Sequence, residues 1–435
     1  MSGLGSAANI PELRRRVIFT LLMLLVYRMG VQVPTPGING EALAAFFAEH
    51  SKTVLGMFNM FSGGALENFS IFALGIMPYI SASIIIQLLT VVIPQLEQLK
   101  KEGEAGRRKI TQYTRYGTVG LALIQGFFIA SGLEAMQAPN TGIPIVMVPG
   151  LKFKLMTVLT LTSGTSFIMW LGEQMTERGI GNGISVIIYA GIIARMPAAI
   201  ANSLQLIQSG DLPIILIPVM LLLMFAVIAL IVFFETAQRR IPIQYAKRVV
   251  GRRMYGGQSS HLPLKINISG VIPPIFASSI MMFPATIGSF SKIDWVERAA
   301  SALAPGTMFY YALYVGMIVF FCFFYTAVTF NPDEVAENLK KNGGFIPGIR
   351  PGKKSSEFID KVLTRITVVG AIYLGAVCVL PTVLVDRFNV PFYFGGTALL
   401  IVVGVAIDTI SQVESHLVMR NYEGFMKAGK IRGRR

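Results

Sequence analysis

Long uninterrupted apolar blocks constrain this chain more than any other feature of its sequence. They recur from Val17 to Val403, many of them roughly 20 residues long, which as a helix spans a bilayer core. Within lipid the backbone finds no water, so each block must satisfy its own hydrogen bonds as a helix or pair with others in a closed barrel. The blocks are continuously apolar, without the alternation of barrel strands, and this leaves helices. The composition agrees, with 53% hydrophobic and 14% charged residues among 435. The fold class expected is therefore an all-α polytopic membrane protein.

Ten spans are expected, near 17–34, 71–93, 116–135, 153–172, 183–201, 213–234, 268–288, 308–330, 366–385 and 391–410. Arg14, Arg15 and Arg16 ahead of the first block mimic a secretory signal. No small-residue cleavage site follows, however, and Arg28 interrupts the block. The net charge is +15, and most of the 38 lysines and arginines fall on alternate connections and on both ends. The positive-inside rule makes that side, with both termini, cytoplasmic. Ten spans divide into two sets of five that enter from opposite sides, an inverted pair of halves over 1–210 and 211–410, followed by a tail over 411–435.

Topology explains the charge but not the length of two inside connections, 235–267 and 331–365, which exceed what a turn needs and are expected to stand out from the membrane. Residues 54–70 also fit poorly among the helices. They are mildly apolar, hold Gly63 and Gly64, and are too short and polar to cross. They read either as a re-entrant, plug-like segment shielded from lipid or as an outside surface loop.

The span centres hold almost no charge. Arg28 and Arg195 sit toward the outer ends, while Glu235 and Asp408 sit toward the inner ends, within reach of headgroups. This argues against a proton- or sodium-coupled transporter. No H-E-x-x-H, intramembrane aspartate pair or Walker spacing appears, which argues against an intramembrane enzyme or a resident ATPase. No cofactor or metal site is expected. Cys322 and Cys378 lie in apolar blocks and read as small apolar side chains. Ser81, Ser83, Gln87, Thr90 and Asn182 are polar positions within spans, read either as interhelical hydrogen bonds or as a seam that opens.

Several long strings carry a family likeness. They include FNMFSGGALENFSIFALGIMPYISASIIIQLL at 58–89, KKEGEAGRRKITQYTRYGT at 100–118, MWLGEQMTERGIGNGIS at 169–185, GRRMYGGQSSHLPLKIN at 251–267, ENLKKNGGFIPGIRPG at 337–352 and VPFYFGGTALLIVV at 390–403. With them the chain resembles the SecY family, the central channel subunit of the bacterial Sec translocase, over about residues 10–425. The resemblance implies ten helices in two inverted halves around a pore, and a multi-pass place in the bacterial inner membrane. It implies a plug near 58–70 that includes Phe61, Ser62, Gly63, Gly64 and Leu66. It implies a pore ring of Ile76, Ile80, Ile184, Ile188, Ile275 and Ile401, and a lateral gate with Gln87 and Asn182 at polar positions. Lys247, Arg248, Arg252, Arg253 and Arg350 match the docking surface for the motor ATPase SecA and the ribosome. Small SecE and SecG subunits, signal sequences and membrane lipids are the other partners implied.

Overall fold

A computed structural model of the chain describes residues 11–49, 59, 62–134, 136, 144–198, 200–201, 208, 216–245, 248–250, 253–255, 259–290, 307–388 and 396–428. Helices stand at all ten expected spans, as follows. Helix α1 is Pro11–Val31, followed by the short α2, Gly40–Glu49. Then come α3, Met77–Val92; α4, Pro94–Lys101; α5, Glu104–Glu134; α6, Leu151–Arg178; α7, Gly183–Ala194; and α8, Leu216–Thr236. After a β-segment come α9, Ile272–Phe290; α10, Met308–Thr329; α11, Pro332–Lys341; α12, Lys353–Phe388; and α13, Gly396–Ala428. By length and hydropathy alone, five described helices suffice to cross a membrane, and the bent pair α3–α4 makes a sixth. Helix α7 falls short of such a window, and Arg14, Arg15, Arg16 and Arg28 place four charges in α1.

The chain divides into two compact units. The first comprises 1–209, 279–310 and 401–435, and the second 210–278 and 311–400.

In the first unit, α5 and α6 are tied near both ends. Arg115 grips Glu173 bidentately at 3.0 and 2.7 Å, and at the other end Glu134 pairs with Lys154 at 3.1 Å while accepting the Gly150 amide at 2.7 Å. Two facing carboxylate–cation pairs fix the register of such helices where apolar packing alone would let them slide. The next helix, α7, approaches closely because its first residue has no side chain. A Cβ on Gly183 would lie 2.1 Å from the Gly172 carbonyl oxygen. The α7 N-terminus is closed by Asn182, whose side-chain oxygen accepts the amides of Ile184 and Ser185. Near the break between α3 and α4 the backbone bends by 99°. Ile93, extended at φ −98° and ψ 114°, precedes Pro94. Proline excludes the helical conformation from the residue before it and brings no N–H, so α3 must stop there.

In the second unit the connection 235–267 is not irregular. Strand β1, Gln238–Tyr245, runs antiparallel to β4, Ser259–Lys265, from Gln238↔Lys265 to Gln244↔Ser259. Beyond it β2, Arg248–Val250, pairs with β3, Arg253–Tyr255. Strand β5, Gly344–Phe345, joins the far edge of β1 through Gln244↔Phe345 and Tyr245↔Gly344. The connection 331–365 is mostly helical as well. Asn331 caps α11 by accepting the Asp333 amide, with Pro332 at the first helical position, an arrangement that satisfies an amide otherwise left bare. Hydropathy placed the ninth span from 366. The helix begins at Lys353, because its first turns are amphipathic and pack on the sheet rather than in lipid. The tenth helix likewise continues past the expected span to Ala428.

Glu235 was expected to reach headgroups. Instead it is buried at the foot of α8 and accepts a 2.7 Å hydrogen bond from Asn267, which also donates to the Gly270 carbonyl and accepts from Ser269 Oγ. A buried carboxylate needs such donors, since burial without them is costly.

Candidate functional site

The non-helical segment between α2 and α3 is built from polar punctuation. Ser62, Gly63, Gly64 and Ser70 disfavour a regular helix, and from Ser62 on the backbone closes on itself in successive turns. The Gly64 amide donates to Asn59 O at 2.9 Å, the Phe69 amide to Leu66 O at 3.0 Å, and the Ser70 amide to Ala65 O at 2.9 Å. Its C-terminal end is stitched to the α1–α2 connection by Thr35 N to Phe69 O at 2.9 Å and Ile71 N to Val33 O at 3.0 Å. Asn59, Ser62, Ala65, Leu66, Phe69 and Ser70 are buried. Of the two sequence readings, a segment so enclosed fits the shielded, re-entrant one. Phe61 lies outside the described residues.

The segment rests on two helices of the same unit. From α1, Tyr27 donates to the Ser62 carbonyl at 3.1 Å and Arg28 to the Gly63 carbonyl at 3.0 Å. From the C-terminal cap of α7, Arg195 meets Glu67 at 2.8 Å. The carboxylate of Glu67 also accepts from Asn59 Nδ2 at 3.0 Å, and Asn59 Oδ1 takes the Glu67 amide at 3.0 Å. Gly63 has φ +67°, and a Cβ there would stand 2.8 Å from the Gly191 Cα, so backbone meets backbone. Arg28 and Arg195 had been assigned only a position near the outer ends of spans. Their partners lie 35 and 128 residues away in sequence, and no local pattern announces such pairs.

The isoleucines of the expected ring are mostly buried side chains. Ile76, Ile80, Ile188 and Ile401 belong to the first unit and Ile275 to the second, and all five are buried; Ile184, in the first, is half-buried. The helical spacing of Ile76 and Ile80, and of Ile184 and Ile188, places each pair on one face. Gln87 donates to Ser83 Oγ at 3.3 Å, one turn back on α3, and is half-buried. Asn182 is exposed, and its oxygen is committed to the α7 cap.

In the second unit the two long connections form one body. Ile241 and Leu264 of the sheet, Ile346 after β5 and Ile359 of α12 make a buried core. Leu262, Val335, Leu339, Ile349 and Phe358 pack against it. Arg350 stands in the turn that follows Ile349. Gly348 at φ +80° and Gly352 at φ +103° bracket it, and its carbonyl accepts from Ser355 Oγ at 3.1 Å. Its own side chain is exposed and forms no ion pair with the described residues. Arg248 and Arg253 lie on the β2–β3 ribbon, whereas Lys247 and Arg252 lie outside the described residues. No group of three or more His, Cys, Asp or Glu suited to a metal occurs among the described residues.

A family model described as SecY matches residues 70–410, most of the chain. The chain belongs to the SecY family. The protein translocase subunit SecY of Pseudomonas aeruginosa is 54% identical over 98% of this chain and 96% of its own length. That of Escherichia coli is 53% identical over 99% of this chain and 97% of its own length. Among solved structures, one of a protein-conducting channel covers 92% of both chains with a TM-score of 0.63 at 16% identity. One of a SecY whose plug domain stabilises the closed state matches with a TM-score of 0.65 at 17% identity, again over 92% of both chains. At those identities the likeness is one of fold. The SecY-family chain is thus an integral membrane protein with the architecture of a protein-conducting channel.

Proposed function

We propose that this SecY-family channel passes unfolded secretory proteins through a collar of Ile76, Ile80, Ile184, Ile188, Ile275 and Ile401, closed at rest by the segment around Ser62–Ser70. The observation that carries the reading is the combination of a buried, backbone-pinned segment with buried isoleucines on the helices that follow it. Branched apolar side chains suit this task. They offer no fixed hydrogen-bond partner to a passing chain, they yield to varied widths, and they exclude water when empty.

Transmembrane segments leave sideways through a lateral gate, with Gln87 and Asn182 at its polar positions. Among the described residues, the Gln87 side chain is held within its own helix turn, which leaves donor capacity for a second partner. Asn182 serves the gate through its amide nitrogen, because its oxygen holds the α7 cap. The halves are 1–210 and 211–410, with 411–435 as a tail. The start of the second compact unit at Gly210 supports that division, although 279–310 and 401–435 cluster with the first.

Motive force comes from outside the chain. The exposed Arg350, fixed in a turn on the same core as the β1–β4 sheet, is suited to bind the motor ATPase SecA, and the ribbon bearing Arg248 and Arg253, with Lys247 and Arg252, is suited to ribosomal phosphate. A related channel of known structure, canine Sec61, was solved in a ribosome–channel complex. SecE and SecG complete the translocase in the bacterial inner membrane, with both termini cytoplasmic. Signal sequences enter at the gate, where lipids meet the translocating chain. A crosslinker placed at Ile80 or Ile275 tests the reading. A stalled secretory chain should label both positions, whereas labelling by lipid probes alone would overturn it.

A further inference from the structure

We propose that Glu67, clamped between Arg195 and Asn59, is an ionic latch that holds the plug in its closed place. This rests on the plug reading above and names the residues that set it. Among the anchors of the segment, two side-chain ones contrast in character. One is buried: Tyr27 reaches the Ser62 carbonyl from the interior of the first unit, and its ring stacks on Phe72 with centroids 6.0 Å apart. The other is ionic and reachable by water. The side chains of Arg195 and Glu67 are 36% and 38% exposed and meet at 2.8 Å.

The geometry around Glu67 is specific. One oxygen, Oε2, accepts from both Arg195 Nη2 and Asn59 Nδ2, while Asn59 Oδ1 takes the Glu67 amide. Side chain and backbone of the same residue are thereby fixed to a single asparagine at the start of the segment and a single arginine at the end of α7. Arg195 in turn follows directly on the helix that carries Ile184 and Ile188. The latch therefore joins the closing segment to a helix of the collar, so a chain that displaces α7 pulls on the plug through one bond. A pair about a third exposed holds weakly, which suits a contact that must break in every transport cycle. Arg28 has a different part. It donates to the Gly63 carbonyl and needs no charged partner, so it supports the segment in either charge state of residue 67.

The experiment uses the complete translocase complex reconstituted in vesicles and reads resting ion flux without a substrate. Glu67→Gln and Arg195→Gln should each raise the flux roughly two- to fivefold, the range an exposed pair supplies. The exchange Glu67→Arg with Arg195→Glu should bring it back close to the original, which a merely space-filling role for either side chain does not predict. High salt on the side facing Glu67 should raise the flux of the unaltered channel while leaving the Glu67→Gln channel little changed. Unchanged flux in both single variants, or an exchange as leaky as they are, overturns the latch. Gly63→Ala is run alongside. If it leaks while the latch variants do not, the plug stands and the latch falls; if neither leaks, the plug reading falls and the latch with it.

Discussion

Gly63→Ala is the sharpest probe of how the closing segment is seated. The substitution has two costs in the closed state. At φ +67° an L-residue is in left-handed space, which costs about 1–2 kcal/mol. The new methyl would also stand 2.8 Å from the Gly191 Cα, 3.3 Å from its carbonyl oxygen and 3.4 Å from Arg28 Nη1. The first of these is backbone and yields little, so overpacking adds about 1–3 kcal/mol. Together they come to about 2–5 kcal/mol, which shifts the ratio of displaced to seated segment by roughly 30-fold up to several thousandfold at 1.36 kcal/mol per decade. Gly64 supplies the internal control. Its φ is +90°, but nothing lies within 4 Å of the methyl position. Gly64→Ala therefore carries the conformational cost alone, about 1–2 kcal/mol or roughly 5- to 30-fold. Ion flux through the resting, reconstituted complex measures both. Gly63→Ala should leak more than Gly64→Ala, roughly tenfold or beyond. Equal leaks would refute a closed state in which the segment rests on the α7 backbone.

Replacing Ile76, Ile80, Ile188 and Ile401 together with glycine should raise the resting leak, measured in the same vesicles, because four buried branched side chains leave the collar. Arg350→Glu should impair SecA-driven export of a secretory precursor while the channel itself still inserts and accumulates, as cell fractionation would show; normal export removes Arg350 from the docking surface. Ile359→Ala, at a fully buried position of the sheet–helix body, should cost about 2–5 kcal/mol and speed protease cleavage within 331–352. Asn182→Ala removes the cap of α7 at about 1 kcal/mol, and hydrogen exchange at the Ile184 and Ser185 amides should quicken by several-fold.

The membrane helices were legible because lipid leaves a backbone no other choice, and runs such as Leu216–Thr236 announce themselves by hydropathy alone. The inside connections were not. Ile241 and Ile243 alternate with exposed neighbours, a two-residue period in the sequence, but the partner strand β5 lies about a hundred residues on, and nothing local points to it. The start of α12 was missed for a related reason. Its first three turns are amphipathic and soluble in character, so a hydropathy window registers only the part beyond Arg365. At the candidate site, the isoleucines and glycines came from family likeness and composition, whereas the attachments of Arg28, Arg195 and Tyr27 are long-range contacts that only the folded backbone creates. Asn182 had two open readings, and the capping geometry supplies a third role, which asparagine directly before a helix start could have signalled.

Ahead of Pro381, helix α12 runs from Lys353 to Leu380, 28 residues, about 42 Å of stiff rod. Its first turn is fastened beside Arg350, and farther along it Val377 and Cys378 lie so close to Gly396 that no methyl would fit between them. No proline interrupts the hydrogen-bond ladder of that stretch, so a push meets no proline hinge before Pro381. Force applied at the Arg350 turn, as the proposed motor docking requires, would therefore reach bilayer depth as tilt of this stretch, and two spin labels at its opposite ends should keep their separation while the motor turns over.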